Sequence, residues 1–357
     1  MSSPDGATTV SIDALHSFCM EILCDLGVSS AHAQVTSDAL TLADSWGTFT
    51  HGTKLLIGYA QRLKRGGLRT DTEPQVVKEG PAWAIVDGQA TLGQVVSTFA
   101  MTKAVELANK SGFGYVGVRN SCHFGAAGVY SSLAAKENMV GLSMANDVPS
   151  VAAPGSRTSI TGTNPFSYAI PAGKHPPILL DMAISTVAGG KIYAAQQLGK
   201  PIPDNWLIGP DGKPTSDASL YPANACLAPM TAHKGYGLAL MIESLSAIMT
   251  GASLTWNVGS WMFDDGTKPT NHGGCFIAMN VAAMQPLDEF LTRVDGLIDE
   301  IHEAPKADGV ERLYVPGEME WERRQKALQE GIKLPADVVA QLRLVAKEFD
   351  IHPSWLQ

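Results

Sequence analysis

The amino-acid sequence predicts an α/β fold in which helices surround a mixed sheet. Two observations carry this prediction. Residues 115–118 and 139–144 are short apolar runs typical of buried strands, and residues 126–138 between them have helical composition. Both ends of the chain instead carry apolar residues at helical spacing. We therefore expect three parts: a helical part over 1–75, a central α/β domain over 76–285, and a helical part over 286–357 that packs on the first.

The composition indicates an ordinary globular protein that acts on small molecules. The chain has 357 residues, 45% of them hydrophobic, and a formal net charge of -9. A nucleic-acid surface needs clustered Lys and Arg, so an acidic chain argues against one. No apolar run approaches the roughly 20 residues that span a bilayer, and the N-terminus lacks a signal pattern. We expect a cytoplasmic protein with no membrane partner.

The cysteines predict free thiols rather than a metal centre. They form an odd set without a CxxC pair: Cys19, Cys24, Cys122, Cys226 and Cys275. Such a set is typical of a reducing compartment and gives no support for a zinc site. No resident metal is predicted.

The N-terminal part should begin with three helices. Ser11 is a suitable N-cap for a helix that keeps an apolar stripe until Gly27, and Ser30 opens a second helix. A third helix is expected over 55–64. Between the second and third lies a loop that contains His51 followed by glycine, which lets backbone approach a ligand. The alternative for His51 is a helix-capping or packed histidine.

The main sheet is expected to begin with residues 83–86, which precede an Asp-Gly turn. A helix over 94–110 should follow and lead into the strand at 115–118. The loop after that strand presents His123, and ligands of α/β proteins commonly lie outside strand ends. His123 is therefore a candidate catalytic or cofactor contact. The alternative is a hydrogen-bonded structural histidine.

A match to the dinucleotide-binding spacing GxGxxG, at 112–117, should be rejected. That fingerprint must follow a strand and open a helix, so that the helix N-terminus faces the pyrophosphate. Here the glycines follow a helix and enter a strand. We expect no Rossmann phosphate turn at this position.

Further polar groups lie in turns downstream. Thr163 and Asn164 precede a strand at 166–170, and Asp181 ends another at 177–180, before a helix at 185–198. An acid at a strand end can bind ribose hydroxyls, orient a histidine or cap a helix.

The remaining third contains one placement that favours function. Residues 201–221 are rich in Pro, Gly and Asp and predict an extended surface excursion, which could reach a neighbouring subunit. His233, Lys234 and Gly235 then open an apolar helix. A cation is disfavoured at a helix N-terminus unless it serves an anion there, so we favour a phosphate or carboxylate site. A strand at 274–280 and helices at 287–301, 321–331 and 336–349 complete the chain.

Six short strings, in this order and spacing, resemble the malate/L-lactate dehydrogenase family, which includes sulfolactate, ureidoglycolate and diketogulonate oxidoreductases. The resemblance covers nearly the whole chain and rests on Thr50-His51-Gly52, Asn120-Ser121-Cys122-His123-Phe124-Gly125, Gly162-Thr163-Asn164-Pro165, Asp181-Met182-Ala183, His233-Lys234-Gly235-Tyr236-Gly237 and Pro316-Gly317-Glu318. It implies a non-Rossmann NAD(P)-binding fold, a homodimer, and NAD or NADP as cofactor.

The resemblance also implies roles for individual residues. His51 corresponds to an acid/base and His123 to a residue at the nicotinamide. Candidate cofactor contacts are His123, Gly125, Asp147, Thr163, Asn164, Asp181, Met182, Ala183, His233, Lys234, Gly235, Gly317 and Glu318. Candidate substrate contacts are Thr50, Lys54 and Tyr59.

Two departures from the family pattern bear on the substrate and on the cofactor. The family commonly has an arginine four residues after the first histidine, resembling a carboxylate clamp, but this chain has Leu55. Lys54 is adjacent, yet on a helix it points about 100° away. The family's loop motifs often read SHG and GER. This chain instead has Thr50, which keeps a hydroxyl, and Met319, which loses a cation that could serve the cofactor.

The leading hypothesis is NAD(P)-linked interconversion of a 2-hydroxy acid and a 2-oxo acid, in which histidine supplies a proton near neutral pH. Within enzymes the alternative is a cyclic imine acid reductase. From other classes, the alternatives are a metal-dependent hydrolase built on His51, His123 and Asp181, or a nucleotide-binding protein without catalysis. Each predicts a different requirement for nucleotide and metal.

Overall fold

The computed structural model describes residues 7–356. Within them the chain forms α-helices α1 (Ile12–Asp25), α2 (Ser30–Ser45), α3 (Leu56–Arg65), α4 (Gly93–Ser111), α5 (Ala127–Lys136), α6 (Gly189–Gln197), α7 (His233–Glu243), α8 (Leu287–Glu303), α9 (Glu318–Glu330) and α10 (Ala336–Glu348).

The strands are mostly short. They are β1 (Thr8–Val10), β2 (Gln75–Gly80), β3 (Trp83–Asp87), β4 (Phe113–Ser121), β5 (Met139–Ala145), β6 (Val151–Ala152), β7 (Ser159–Thr161), β8 (Phe166–Ile170), β9 (Ile178–Met182), β10 (Leu207–Ile208), β11 (Pro214–Thr215), β12 (Cys226–Leu227), β13 (His272–Asn280) and β14 (Ile332–Leu334).

The N-terminal helices form as their caps and apolar stripes predict. The Ser11 hydroxyl accepts a hydrogen bond from the Ala14 N–H at 3.1 Å, and Gly27 takes the left-handed conformation just past α1. The apolar side of α1 packs in a core cluster shared with α3 and α10. β1 pairs antiparallel with β14, so the first strand of the chain joins a strand that lies between α9 and α10.

The main sheet is mixed, as predicted. Its strand order is β2-β3-β4-β13-β5-β8-β9, and β3 and β4 are parallel while the other neighbours are antiparallel. α4 and α5 cover it with a second core cluster that includes Val116, Tyr130 and Phe276. The expectation that this sheet begins at residue 83 was wrong, because β2 precedes it. Most residues of β2 are exposed, so the strand carries no apolar alternation to reveal it.

The glycine pattern at 112–117 follows a helix and enters a strand, as expected for a match that is not a Rossmann turn. Gly112 ends α4 in the left-handed conformation and the chain enters β4. A Cβ on Gly114 would lie 2.1 Å from the Ala104 carbonyl oxygen. This glycine therefore serves close packing of helix on strand.

A smaller sheet, ordered β11-β10-β12-β6-β7, lies outside the main one. The 201–221 segment contributes Ile202, Leu207 and Ala218 to a buried cluster, so it is not only a surface excursion. The helix expected at 185–198 also starts later, at Gly189. Ser185 bridges to Pro229 and the Thr186 N–H donates to the Ala228 carbonyl, which holds this stretch extended. Among residues 7–356, no helix has the length and hydropathy needed to cross a membrane.

Candidate active site

The His51 loop is anchored from beneath by Asp44 at the end of α2. The loop consists of two 3-10 turns, Phe49–His51 and Thr53–Leu55. Asp44 Oδ2 accepts from the Thr53 N–H at 3.0 Å and from the Thr53 hydroxyl at 2.5 Å. A Cβ on Gly52 would lie 1.8 Å from Asp44 Oδ1, so only glycine fits there. Burial raises the pKa of Asp44 to about 7, against the opposing effect of the Thr53 hydrogen bonds.

The structure brings the two candidate catalytic histidines together. The rings of His51 and His123 are stacked, with centroids 5.8 Å apart and planes 22° apart. Thr50 Oγ1 lies 2.9 Å from His51 Nδ1. Gly125 has the left-handed conformation and lies beside His51, whose carbonyl oxygen would be in van der Waals contact with an added Cβ at 3.4 Å. Two loops 72 residues apart in sequence thus form one wall.

His123 is held by Tyr59 of α3. Tyr59 Oη lies 2.8 Å from His123 Nδ1, and the Gly125 N–H donates to the same nitrogen at 3.4 Å. A backbone N–H only donates, so Nδ1 is an acceptor and the tyrosine hydroxyl donates to it. The proton of the neutral ring is therefore on Nε2. The candidate substrate contact Tyr59 touches His123 directly.

The local environment keeps both histidines neutral near pH 7. Burial lowers the pKa of His123 to about 3; the charges of His51 and His272 act in the same direction and that of Asp147 opposes them. Burial also lowers the pKa of His51, and Asp147 again opposes. Both residues are half-buried, so surrounding protein lowers their pKa values while part of each remains accessible.

Asp147 and His272 form a pair beside these histidines. His272 Nε2 lies 3.1 Å from Asp147 Oδ1, which also accepts from the Val148 N–H at 2.8 Å. Burial acts to raise the pKa of Asp147, but the hydrogen bond and charge of His272 and the charge of His123 hold it below its usual value. Sequence reasoning missed His272. It starts β13, 125 residues after Asp147, and its only local signal was a histidine at a strand end.

Trp261 and Arg62 were also missed. The Trp261 ring stacks on His123 at 4.5 Å between centroids, and on Tyr59 at 5.1 Å. The buried Arg62 guanidinium of α3 donates to the Ser260 and Trp261 carbonyls, each at 3.3 Å, and to that of Lys268. Arg62 thus holds the loop that carries Trp261. Nothing local in sequence indicates these contacts.

Among the candidate cofactor residues, Asp181 contacts the start of α5. Its carboxylate accepts from the Gly128 N–H at 2.8 Å, which is a capping interaction with a helix distant in sequence. Water reaches one side of Asp181, while surrounding protein raises its pKa to about 6 against the Gly128 hydrogen bond. Met182 and Ala183 follow it, both half-buried.

Asn164 lies against α7, and Thr163 next to it bonds to the chain after β9. Asn164 is fully buried, and its amide donates to Glu243 Oε2 at 2.9 Å and to the Ala239 carbonyl at 3.2 Å. The Thr163 carbonyl accepts from the Ile184 N–H at 2.8 Å. Asn164 therefore ties the turn to the helix, and its side-chain Oδ1 is left without a partner.

His233 and Lys234 occupy the first turn of α7, as predicted. Both side chains are exposed, and neither forms a hydrogen bond or ion pair with any residue the structure describes. Gly235 is buried; an added Cβ would lie 2.3 Å from the Met230 carbonyl oxygen. The first turn thus presents a cation at a helix N-terminus, where the N–H groups of Lys234, Gly235 and Tyr236 donate to carbonyls of residues 230–232.

Gly317 and Glu318 have packing and ion-pair partners. Gly317 is left-handed, and a Cβ on it would meet Leu179 of β9 at 2.7 Å. The Glu318 carboxylate lies 2.7 Å from Arg312 and 2.9 Å from His302, and it accepts from the Val315 N–H at 2.8 Å. These contacts hold the start of α9.

Lys54 is paired away from the histidines. Its ammonium lies 2.6 Å from Asp337 Oδ2 at the start of α10. Leu55 packs against the N-terminal core cluster. Across residues 7–356, no three His, Cys, Asp or Glu side chains are arranged to hold a metal ion.

The fold is a mixed α/β sheet without a Rossmann phosphate turn, and it brings together two stacked histidines, a residue type suited to acid–base chemistry. The particular family follows from comparison with known proteins. The family model described as malate/L-lactate dehydrogenase matches residues 10–343. The chain belongs to that family and is a dehydrogenase, which replaces the metal-dependent hydrolase alternative.

Individual relatives are similar to this chain over nearly the whole length of both proteins. The chain is 36% identical over 348 residues to malate dehydrogenase of Pyrococcus abyssi, covering 95% of this chain and 94% of that protein. It is 37% identical over 336 residues to L-sulfolactate dehydrogenase of Methanocaldococcus jannaschii, covering 93% and 95%. The crystal structure of malate dehydrogenase from Entamoeba histolytica superposes with a TM-score of 0.91 at 31% identity, covering 98% and 99%.

Proposed function

We propose that this protein interconverts a 2-hydroxy acid and a 2-oxo acid with NAD or NADP, and that His51 is the acid/base. The stacking of His51 on His123 is the observation that carries the proposal. In the reducing direction the nicotinamide supplies a hydride, and the oxygen of the 2-oxo group needs a proton as charge develops on it. His123 then lies at the nicotinamide, where Tyr59 and Trp261 fix its ring.

The nucleotide is assigned to the surface that includes Asp181 and the first turn of α7. Lys234 and His233 leave their side chains available there, and a helix N-terminus favours phosphate. Asp181 is accessible and can accept from a ribose hydroxyl while it keeps its Gly128 hydrogen bond. Gly125, Asp147, Thr163, Met182, Ala183 and Gly235 belong to the same proposal.

We further propose a homodimer. α7 and the π-helical turn after it expose a set of large apolar side chains, namely Leu238, Leu240, Met241, Ile248 and Met249. Exposed apolar patches of this kind mark contact surfaces. Sedimentation velocity gives the mass directly. A cytoplasmic location is consistent with five free cysteines.

The first experiment is titration of NADH and NADPH by fluorescence with wild type and Lys234→Ala. The exposed Lys326, which pairs with Glu330, provides the matched control variant Lys326→Ala. We expect Lys234→Ala to weaken binding about tenfold, as for loss of a charge-assisted hydrogen bond. Absence of binding to either nucleotide would refute the dehydrogenase assignment.

Turnover of 2-oxo acids then tests the acid/base. His51→Asn should lower kcat by about 10²- to 10⁴-fold with the nucleotide dissociation constant unchanged. The control is His352→Asn, since His352 is mostly exposed and pairs with Asp350. Nucleotide binding without turnover of any acid would instead support the non-catalytic alternative.

A further inference from the structure

The first turn of α6 packs directly against the loop that carries His51. A Cβ on Gly190 would lie 3.3 Å from the Thr50 side chain, and Thr50 Oγ1 in turn lies 2.9 Å from His51 Nδ1. On the other side of the turn, a Cβ on Gly189 would lie 2.8 Å from Tyr221 Oη. Both distances are tight for a Cβ, so the glycine pair allows this close approach. The start of α6 is therefore fixed beside the proposed acid/base.

The next residue, Lys191, carries a positive charge that the described protein does not pair. Its side chain is exposed, and no hydrogen bond or ion pair joins its ammonium to any residue from 7 to 356. The first turn of α6 contains no acidic residue. A cation in the first turn of a helix is also unfavourably placed relative to the helix dipole. The Lys191 charge is therefore available to an anionic ligand.

The Lys191 ammonium can reach the space beside Thr50 and His51. Consecutive Cα atoms are about 3.8 Å apart, and the flexible stem of a lysine carries its ammonium roughly 6 Å from its own Cα. Gly190, one residue earlier, already contacts the Thr50 side chain. The N–H groups of Gly189 and Gly190 donate to no described acceptor, as is usual for the first residues of a helix. They supply further donors to an anion held by Lys191.

Two other basic side chains of this region already have partners. The Lys54 ammonium pairs with Asp337 at 2.6 Å, and the buried Arg62 guanidinium donates to three loop carbonyls. Leu55, at the position of the family's arginine, packs on the core. A 2-oxo acid carries its carboxylate next to the reacting carbonyl, and a carboxylate that leaves water needs a charged donor. Lys191 offers the unpaired cation that these residues do not.

We propose that Lys191 binds the C1 carboxylate of the substrate and so takes the place of the arginine clamp that this chain lacks. This rests on the proposed dehydrogenase function and names the residue that recognises its acid group. An ammonium is a compact charge without the two-pronged geometry of a guanidinium, so it supplies attraction more than orientation. Lys191 takes no part in hydride or proton transfer. Its loss should therefore change KM much more than kcat.

The experiment compares 2-oxobutanoate with its uncharged amide, 2-oxobutanamide, at saturating NADH or NADPH. Lys191→Met removes the charge and keeps most of the stem. For the acid, KM should rise about 10- to 100-fold with kcat little changed, as for loss of a hydrogen bond between charged groups. For the amide, the same substitution should change kcat/KM little. The preference of the enzyme for the acid over the amide should therefore fall by the factor by which KM rises.

Two further variants serve as controls. Lys200→Met changes an exposed lysine just past the other end of α6 and should leave both substrates unaffected. Lys191→Arg keeps the charge and should recover most of the affinity for the acid. An equal loss for acid and amide in Lys191→Met would show that the side chain only supports the fold, and would overturn the proposal. A weakened dissociation constant for NADH or NADPH with an unchanged KM would overturn it too, because Lys191 would then serve the nucleotide.

A measurement on wild type covers the case in which the variants do not fold. At saturating nucleotide, KM for 2-oxobutanoate should rise with added KCl while KM for the amide stays constant, because salt screens an exposed lysine. A KM for the acid that does not respond to salt would contradict the proposal. Turnover without preference for the acid over the amide would overturn the role of Lys191 alone. Absence of binding to either nucleotide would instead reject the dehydrogenase function and this inference with it, so the two failures are distinguishable.

Discussion

Replacing Asp44 by asparagine should change how the stability of the protein depends on pH. The carboxyl is 1% exposed, and its pKa is about 7 in the folded protein against an ordinary value of 3.8. Between these values the folded protein holds a proton that the unfolded chain has lost. The protonated Asp44 carboxyl therefore contributes its full amount to the unfolding free energy below pH 4. This contribution falls as pH rises to about 7.

The size of the effect follows from the shift. Each pKa unit corresponds to about 1.4 kcal/mol, so about three units amount to about 4 kcal/mol between pH 4 and pH 7. Asparagine does not titrate, but its oxygen can still accept from Thr53. From pH 4.5 to pH 7.5 the variant should gain about 3 kcal/mol of unfolding free energy relative to wild type.

Urea unfolding of both proteins at several pH values in that window measures this difference. Asp38→Asn, on the same helix but mostly exposed, provides the control. A difference between wild type and Asp44→Asn that stays constant across the window would refute the reasoning. The result matters for the site, since Asp44 anchors the His51 loop.

Three further predictions concern the site. Tyr59→Phe removes the hydroxyl that donates to His123 Nδ1 and should lower kcat about tenfold with little change in nucleotide affinity, measured by steady-state kinetics and fluorescence. The pKa of His123 is about 3, so no inflection from this residue should appear in a pH–rate profile between pH 5 and 8. Lys54→Ala should cost at most about 1 kcal/mol of stability and leave substrate KM unchanged, because its ammonium pairs with Asp337.

The sequence predicted local features well where a cap or a periodic stripe defines them. α1 begins after Ser11, as its N-cap predicted. The GxGxxG match leads into β4, as its position after a predicted helix and before a predicted strand indicated. The proximity of His51 and His123 came only from the family resemblance, since nothing local links the loops. The roles of the site residues and the division at residues 75 and 285 stay predictions.

The features that were missed depend on contacts between distant parts of the chain. His272 meets Asp147 only because β13 inserts next to β5. Trp261 reaches His123 because Arg62 binds the carbonyls of its loop. Neither arrangement leaves a periodic pattern or a motif in sequence. β2 was missed for another reason, since a polar edge strand lacks the apolar alternation that identifies strands.

The central position of β13 has a consequence for synthesis of the protein. On the ribosome, β2, β3 and β4 emerge early, and β5, β8 and β9 follow, but the strand that joins these two groups is completed only at residue 280. Until then the nascent chain has two half-sheets with unpaired edges at β4 and β5, and such edges invite wrong pairing. We expect the newly made chain to depend on chaperones during this interval, and slow translation just before residue 272 to lower the yield of folded enzyme.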